Sequence, residues 1–466
     1  MKNEIIKKYL TVRLVVLIII SIVGLSLLLI SYLKFKKDCR PTIVLITVDA
    51  LRADHLSCYG YTRDTSANID RLAQEGTVFL NCISTGSGTV YSFAGLLTGR
   101  HLSIGEDYIS LDNILDKKFI TLAGYLKKNG YCTAAFVVNG QLVVGKGFER
   151  GFDYYQDHWD RGDAEGITKT VLNFLSGYTG NKPLFVWVHY LDAHIPYAFR
   201  PESFKIFEKD KLYGNNDRLL SVHPGIYTNP FTSQGYIPRV TFHKNRYNLN
   251  YYVACYDGGI QYADLHLGKL LKHLKDNTMI ILTADHGESL GEHNRYFCHG
   301  ENLYNEVLHT PLIIKDNRFF KNRGRISPAV SSVDIVPTIL SRVNPVWYFF
   351  NKNKFNGVDL RKVATGDSKR KYVYSYFPWA CSVREINKNI EYILNKNGKE
   401  ELYFLPDEYT NHIQDASLDA LSIKAELREA LKIWRKHYPI RADMHSKKII
   451  LNKDTKESLR SLGYLQ

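Results

Sequence analysis

One stretch, residues 278–306 (TMIILTADHGESLGEHNRYFCHGENLYNE), constrains the fold of the chain more than any other. It begins with an apolar run, Met279 to Leu282, which is typical of a strand buried on both faces of a parallel sheet. Polar side chains follow at Asp285, His286 and His299. Open α/β sheets bind ligands beyond the carboxyl ends of their strands, and a carboxylate beside an imidazole suits a metal or an acid–base site there. The alternative is that Asp285 only caps a helix.

Two further apolar runs end in the same way. Thr42 to Val48 leads into Asp49, and Pro183 to Val188 leads into His189 and then His194. Three strand-like runs that each end in an acid or a histidine are hard to attribute to capping alone. Because ligand sites of such sheets form at the carboxyl ends of the strands, the sequence predicts a polar, metal-capable site at one edge of the sheet.

A turn of small residues lies between the runs Thr42 to Val48 and Pro183 to Val188, and it precedes an apolar helical segment, residues 93–97. The turn consists of Gly86, Ser87, Gly88 and Thr89. Backbone N–H groups at a helix N-terminus stabilise a nearby anion, and a hydroxyl there can act as a nucleophile. An ordinary helix N-cap is the alternative interpretation.

The composition limits the size of the fold and the classes of partner that the chain can bind. Its 466 residues suffice for one large α/β domain and a smaller one. Lys+Arg 61 against Asp+Glu 47 gives a formal net charge of +14, which suits an anionic membrane, glycan or phosphate-bearing substrate. Nucleic acid is not expected, because zinc-finger spacing, RNP-like aromatic boxes and arginine-rich tracts are missing. The 7 irregularly spaced cysteines exclude a disulfide-dense scaffold and leave any disulfide pairing open.

Near the amino terminus lies a charge-free apolar run, Leu14 to Leu33. It is long enough to cross a bilayer core of about 30 Å, and no small-residue cleavage site follows it. This pattern predicts a transmembrane helix within residues 1–40, a single-pass protein of the cell membrane and the lipid bilayer as a partner. Basic residues flank the run on both sides, so the positive-inside rule gives no orientation.

Several motifs resemble those of the sulfatase branch of the alkaline phosphatase superfamily. They extend from about Pro41 to Val343 as VDALRADHLSCYGY, LLTGRH, HYLDAHIPY, TADHGESLGEH and HGENLYNE, with an echo in the closing LRSLGYL. The resemblance implies a three-layer α/β/α sandwich around a large mixed sheet, with a small C-terminal α+β subdomain. We therefore expect a catalytic domain over residues 41–345 and a subdomain that completes the fold over 346–466. The resemblance also favours an extracytoplasmic catalytic domain.

The resemblance implies roles for individual residues as well. By this resemblance, Asp49, Asp285 and His286 match metal ligands. His194 and His299 match residues that contact the ester group, and Thr89 matches the nucleophile, whose oxygen also binds the metal. An N/O ligand set of this kind suits one zinc or manganese ion better than calcium. A second ion is the weaker hypothesis. Relatives that bind two metals carry an Asp and a His spaced four residues apart, and this pair is missing after the run Pro183 to Val188.

The nucleophile position departs from the family's sulfatases. Those enzymes carry Cys or Ser, which is oxidised to formylglycine, and threonine cannot form that aldehyde hydrate. Ser92 matches the motif, but Tyr91 and Phe93 replace its Pro and Arg. A threonine instead resembles the phosphodiesterase, phosphonate hydrolase and phosphoethanolamine- or phosphoglycerol-transferase branches. In these branches the Thr oxygen attacks phosphorus and a covalent phosphothreonine forms.

Three functional hypotheses follow. The first is a membrane-anchored, metal-dependent hydrolase or phosphotransferase that acts on phosphate, phosphonate or sulfate esters through Thr89. The second is a sulfatase with an atypical nucleophile, and the third is a pseudoenzyme that binds an anionic glycan or lipid head group. His189 and His293 are additional candidates for the site. The aromatic and basic insert between Pro196 and Asn250 is interpreted either as a substrate-facing cover or as a plain surface loop.

Overall fold

The computed structural model describes residues 13–21, 23, 24, 26, 40–102, 115–157, 162–207, 218–222, 235–320, 324–405 and 418–438. Residues Ile43–Gln466 form one compact unit, and Met1–Thr42 form another. The closing LRSLGYL segment and residues 208–217 and 223–234 of the insert lie outside the described residues.

The predicted single-pass membrane anchor is contradicted. A helix needs about 20 consecutive apolar residues to cross the bilayer core. Among the residues that the structure describes, no helix is both long and apolar enough to do so. In this region residues 13–21, 23, 24 and 26 are helical, and the remainder of the predicted span falls outside the described ranges. The membrane location, the bilayer partner and the extracytoplasmic placement are therefore withdrawn.

The second unit contains strands that follow the predicted apolar runs. In chain order, strands β1 to β17 are Ile43–Val48, Thr77–Ile83, Cys132–Phe136, Tyr154–Gln156, Leu184–Tyr190, Ser221–Val222, Tyr236–Ile237, Met279–Ala284, Ser289–Leu290, Tyr296–Cys298, His309–Lys315, Gly324–Ile326, Val330–Ser331, Tyr372–Phe377, Ala380–Glu385, Ile390–Asn395 and Glu400–Phe404. The main sheet is 9-stranded, in the order β12-β2-β11-β8-β1-β5-β3-β4 with β13 paired to β2. β1 is parallel to β5 and β8, whereas β11 is antiparallel to β8 and β2.

Helices cover both faces of this mixed sheet. Their bounds are Ala67–Glu75, Thr89–Thr98, Leu122–Lys128, Ala164–Gly177, Pro201–Phe207, Leu249–His273, Asn305–Leu308, Ile335–Val343, Pro345–Asn351, Leu360–Ala364 and Leu418–His437, and the 3-10 turns are Ala53–His55, Ser57–Tyr59, Glu292–Asn294, Ser332–Asp334 and Lys352–Lys354. Val44 and Ile46 of β1 pack into one apolar core, while Ile43 and Leu45 pack into the other. This alternation across a strand buried on both faces confirms the α/β fold with a large mixed sheet.

A small antiparallel sheet, β14-β15-β16-β17, follows the main sheet. Its strands pack with the helix Leu418–His437 around Tyr376, Val383 and Trp434. Backbone hydrogen bonding joins it to the main body, because Tyr376 N donates to Thr85 O over 2.9 Å. The division at residue 345 stays a prediction, since residues 43–466 form a single unit.

Candidate metal centre and nucleophile

The register of the central strands brings the predicted acids together. Val48 of β1 pairs with Ala284 of β8, so the next residues, Asp49 and Asp285, leave neighbouring strands at the same level. Both acids are 0% exposed. The backbone after β8 lies close to another segment, because a Cβ on Gly287 would lie 2.1 Å from the carbonyl oxygen of Glu306. Glycine at this position therefore allows the two backbones to approach beside the acids.

Asp49, Asp285 and His286 form a candidate metal centre. One ligand atom from each residue lies within 4.8 Å of the others. His286 Nε2 is 3.7 Å from Asp49 Oδ1 and 3.4 Å from Asp285 Oδ2. These two carboxylate oxygens are buried and have no hydrogen-bond partner. Two buried carboxylates are costly without a compensating cation, so this donor set fits a divalent ion.

The electrostatics of the two acids reflect their proximity. Burial and the neighbouring Asp49 carboxylate raise the pKa of Asp285 to about 6. Burial acts in the same direction on Asp49, but His194, His189 and His286 outweigh it and hold the pKa of Asp49 well below its ordinary value. One member of a close carboxylate pair therefore ionises less readily than the other, as expected for two like charges at one site.

Thr89 is the first residue of the helix Thr89–Thr98, and its side chain faces the metal ligands. Its Oγ1 lies 3.5 Å from His286 Nε2 and 3.4 Å from Asn139 Nδ2. The N-cap residue, Gly88, makes no side-chain capping hydrogen bond. The helix N-terminus is thus uncapped by a side chain beside the hydroxyl, and this arrangement favours an anion there.

His194 and His299 lie together next to His286. Their ring centroids are 4.7 Å apart, and the His299 ring stacks on His286 at 4.3 Å. Burial lowers the pKa of His194 to about 4 and that of His299 to about 3. His299 Nδ1 contacts Glu288 Oε1 at 3.1 Å, and burial raises the pKa of Glu288 to about 8. The structure therefore gathers all six predicted site residues into one buried region.

The model of the sulfatase family matches residues 41–345, which include every one of these side chains. The chain belongs to the sulfatase family. As a member, it is an ester hydrolase of the sulfatase/alkaline phosphatase superfamily.

Individual members show how far the similarity extends. N-Acetylglucosamine-6-O-sulfatase of Bacteroides thetaiotaomicron is 25% identical over 404 residues, which cover 69% of this chain and 71% of that protein. Phosphonate monoester hydrolase of Agrobacterium radiobacter superposes with a TM-score of 0.67 at 18% identity, over 86% of this chain and 96% of that one. A protein solved in complex with its substrate, D-glucosamine-2-N,6-O-disulfate, gives a TM-score of 0.68 at 20% identity, over 87% and 100%. The structural matches support the sulfatase-like fold.

Two further side chains contact Asp49 in the candidate site, and the sequence had not pointed to one of them, Asn139. Asn139 Nδ2 donates to Asp49 Oδ2 over 2.6 Å, and His189 Nε2 lies 3.2 Å from the same oxygen. Asn139 follows β3, which pairs with β5 in the main sheet, so a polar residue just after a strand was the available signal. His189 was considered only as an additional candidate. The other such candidate, His293, stacks on Tyr304 with 3.7 Å between ring centroids.

Ser92, which matches the family motif, supports the turn before Thr89. Its hydroxyl donates to Gly86 O over 2.8 Å. Ser84 connects this turn to the metal centre, because its Oγ accepts from the backbone N–H of Gly86 over 3.3 Å and donates to the Asp285 carbonyl oxygen. These bonds hold the start of the helix Thr89–Thr98 against the end of β8.

Proposed function

We propose that this sulfatase-family chain cleaves phosphate or phosphonate esters with Thr89 as the nucleophile. The observation that carries the proposal is the position of Thr89 Oγ1, 3.5 Å from His286 Nε2 at the edge of the Asp49–Asp285–His286 cluster. A hydroxyl at a helix N-terminus, beside ligands for a cation, has the surroundings that activate a weak nucleophile.

Asp49, Asp285 and His286 would hold one divalent ion, with the Thr89 oxygen beside it. Their N/O donor set suits zinc or manganese better than calcium, which prefers six to eight oxygen ligands. When bound, such an ion neutralises charge on the phosphoryl oxygens and makes the hydroxyl easier to deprotonate.

The residues of the chain divide the reaction between them. Thr89 Oγ1 forms a bond to phosphorus, and the bond from phosphorus to the ester oxygen breaks. His194 and His299 contact the ester oxygens. Their imidazoles transfer the proton lost from Thr89 to the departing oxygen, and the leaving group departs as an alcohol. Water then attacks the phosphothreonine, the phosphorus–Oγ1 bond breaks, and Thr89 regains its proton. An alcohol in place of water would make the same chain a phosphotransferase.

Sulfate ester hydrolysis is the second candidate function. The observation that favours it is the similarity to a sulfatase, N-acetylglucosamine-6-O-sulfatase, over 404 residues. The residue that opposes it is Thr89, because a threonine lacks the route to formylglycine on which the family's sulfatases depend. The pseudoenzyme hypothesis is weaker, since Asp49 and Asp285 are kept buried together at a cost that only a bound cation offsets.

The test compares three substrates with three proteins. The chain loaded with Zn²⁺ or Mn²⁺ is assayed with an aryl phosphodiester, an aryl phosphonate and an aryl sulfate, next to Thr89→Ala and the matched control Thr89→Ser. We expect phosphoester or phosphonate turnover to fall about 10³-fold or more in Thr89→Ala and to survive largely in Thr89→Ser. Acid-quenched wild type should carry a phosphoryl group on the peptide that contains Thr89. Sulfate turnover that persists in Thr89→Ala would overturn the assignment.

A further inference from the structure

A chain of buried side chains leads from the middle of the sheet to the metal-facing acid. Trp187 and His189 lie on β5, and Thr47 of β1 pairs with His189 across the parallel ladder. All three are 0% exposed, as is Asp49 at the end of β1. The links are Trp187 Nε1 to Thr47 Oγ1 at 2.9 Å, Thr47 Oγ1 to His189 Nδ1 at 2.9 Å, and His189 Nε2 to Asp49 Oδ2 at 3.2 Å.

The direction of each bond follows from the donors available. An indole N–H can only donate, so Thr47 Oγ1 accepts from Trp187. The single hydroxyl proton of Thr47 then has two acceptors within reach, His189 Nδ1 at 2.9 Å and Val188 O at 3.4 Å. The shorter bond places this proton on the side of Nδ1 and leaves the imidazole hydrogen on Nε2. The opposite tautomer would point a lone pair at the Asp49 carboxylate, which also disfavours it.

Asn139 approaches the same oxygen of Asp49 with a fixed orientation. Its Oδ1 accepts from the backbone N–H of Gln141 over 2.8 Å, so its Nδ2 must face Asp49 Oδ2, 2.6 Å away. Oδ2 therefore receives two donors, whereas Oδ1 has no hydrogen-bond partner and lies 3.7 Å from His286 Nε2.

We propose that Trp187, Thr47 and His189 are positioning residues that, together with Asn139, hold Asp49 so that Oδ1 faces the divalent ion. The two donors on Oδ2 prevent the carboxylate from turning and fix which oxygen is offered. Outer partners of metal ligands commonly set ligand orientation in this way. The inference rests on the proposed function in its last step only, because the bond directions concern the metal-free protein.

The first experiment measures the tautomer of His189 by ¹⁵N NMR on the full, metal-free chain with labelled histidine. The signals of this residue are assigned from their loss in His189→Gln. We expect a hydrogen on Nε2 and none on Nδ1, which accepts from Thr47. Hydrogen on Nδ1 would overturn the proposal. This measurement needs no folded Thr47 variant, and it is independent of metal binding.

The second experiment titrates Mn²⁺ alone into wild type, Thr47→Val and Thr47→Ser by calorimetry. Valine keeps the shape of threonine without the hydroxyl, whereas serine keeps the hydroxyl. We expect a loss of about 10- to 100-fold in affinity for Thr47→Val and recovery in Thr47→Ser. Equal affinities in all three proteins would refute the positioning role. If wild type bound no Mn²⁺ or Zn²⁺, the proposed function would fail, while an Nε2–H His189 in the same sample would still support the hydrogen-bond chain.

Discussion

At the scale of residues, two carboxylate oxygen atoms account for the preference of the site for a cation. Asp49 Oδ1 and Asp285 Oδ2 are buried without partners in a region where other polar atoms, such as Asp49 Oδ2, are bonded. An unpartnered buried carboxylate oxygen costs free energy unless a cation compensates it. The two neighbouring carboxylates are therefore a source of electrostatic strain that a bound cation would relieve.

The variant Asp285→Asn tests this with and without a bound cation. Without metal, we expect it to be more stable than metal-free wild type by up to about 3 kcal/mol, because one of two buried like charges is removed. With metal, wild type should gain about 2.7 kcal/mol at a concentration one hundred times its Kd, and the variant should gain far less. Urea denaturation with and without Mn²⁺ measures both effects. The exposed Asp276→Asn is the control and should follow wild type. An unchanged metal-dependent gain in Asp285→Asn would argue against this centre.

The helix that carries Thr89 is fitted closely to the turn before it. All residues of Thr89–Thr98 are buried. A Cβ on Gly95 would lie 2.3 Å from Thr85 Oγ1, and Thr85 O in turn accepts from Tyr376 N. The position of the helix Thr89–Thr98 thus depends on the lack of a side chain at Gly95.

Gly95→Ala is expected to destabilise the protein despite the better helix propensity of alanine. The propensity gain is about 1 kcal/mol, while forcing a methyl group into a filled space costs about 1–3 kcal/mol. Displacement of the helix should also lower turnover through Thr89. The control is Gly177→Ala, where a Cβ meets nothing within 4 Å, and which should be neutral or stabilising by up to about 1 kcal/mol. The midpoints of urea unfolding are compared for wild type and both variants. A Gly95→Ala variant that is more stable than wild type would contradict the close packing.

At the scale of elements, the sequence predicted the parts of the site that follow strongly apolar strands. The apolar runs before Asp49 and Asp285 form β1 and β8, and the run before His189 forms most of β5, which continues to Tyr190. The acids and histidines at the ends of these strands lie close together, as expected. Asn139 gave a weaker signal, because β3 contains a threonine and two alanines and its importance depends on which strands are its neighbours. The expected membrane span was wrong, because no helix among the described residues is both long and apolar enough to cross a bilayer.

At the scale of the whole molecule, the two sheets share their apolar cores. Tyr91, from the helix Thr89–Thr98, packs edge-on against Tyr376 and Phe377 of β14, with ring centroids 6.4 and 5.1 Å apart. Ile83 and Leu308 of the main body pack in one cluster with residues of the small sheet. Because neither sheet buries its apolar surface alone, we expect residues 43–466 to unfold as one cooperative unit.

His101 lies between these parts and makes their joint stability depend on pH. Its ring packs 5.5 Å from Trp434 and 6.1 Å from Tyr374, and burial lowers its pKa to about 3. The unfolded chain takes up this proton near pH 6.5, so the unfolded state holds more protons between the two values and stability falls as pH falls. His101→Phe should reduce the loss in the free energy of unfolding by about 1.4 kcal/mol per pH unit. The measurement is urea unfolding at a series of pH values from 7 to 4. The exposed His273→Gln should keep the wild-type slope. If His101→Phe kept it too, the histidine would not be responsible for the acid sensitivity of the folded chain.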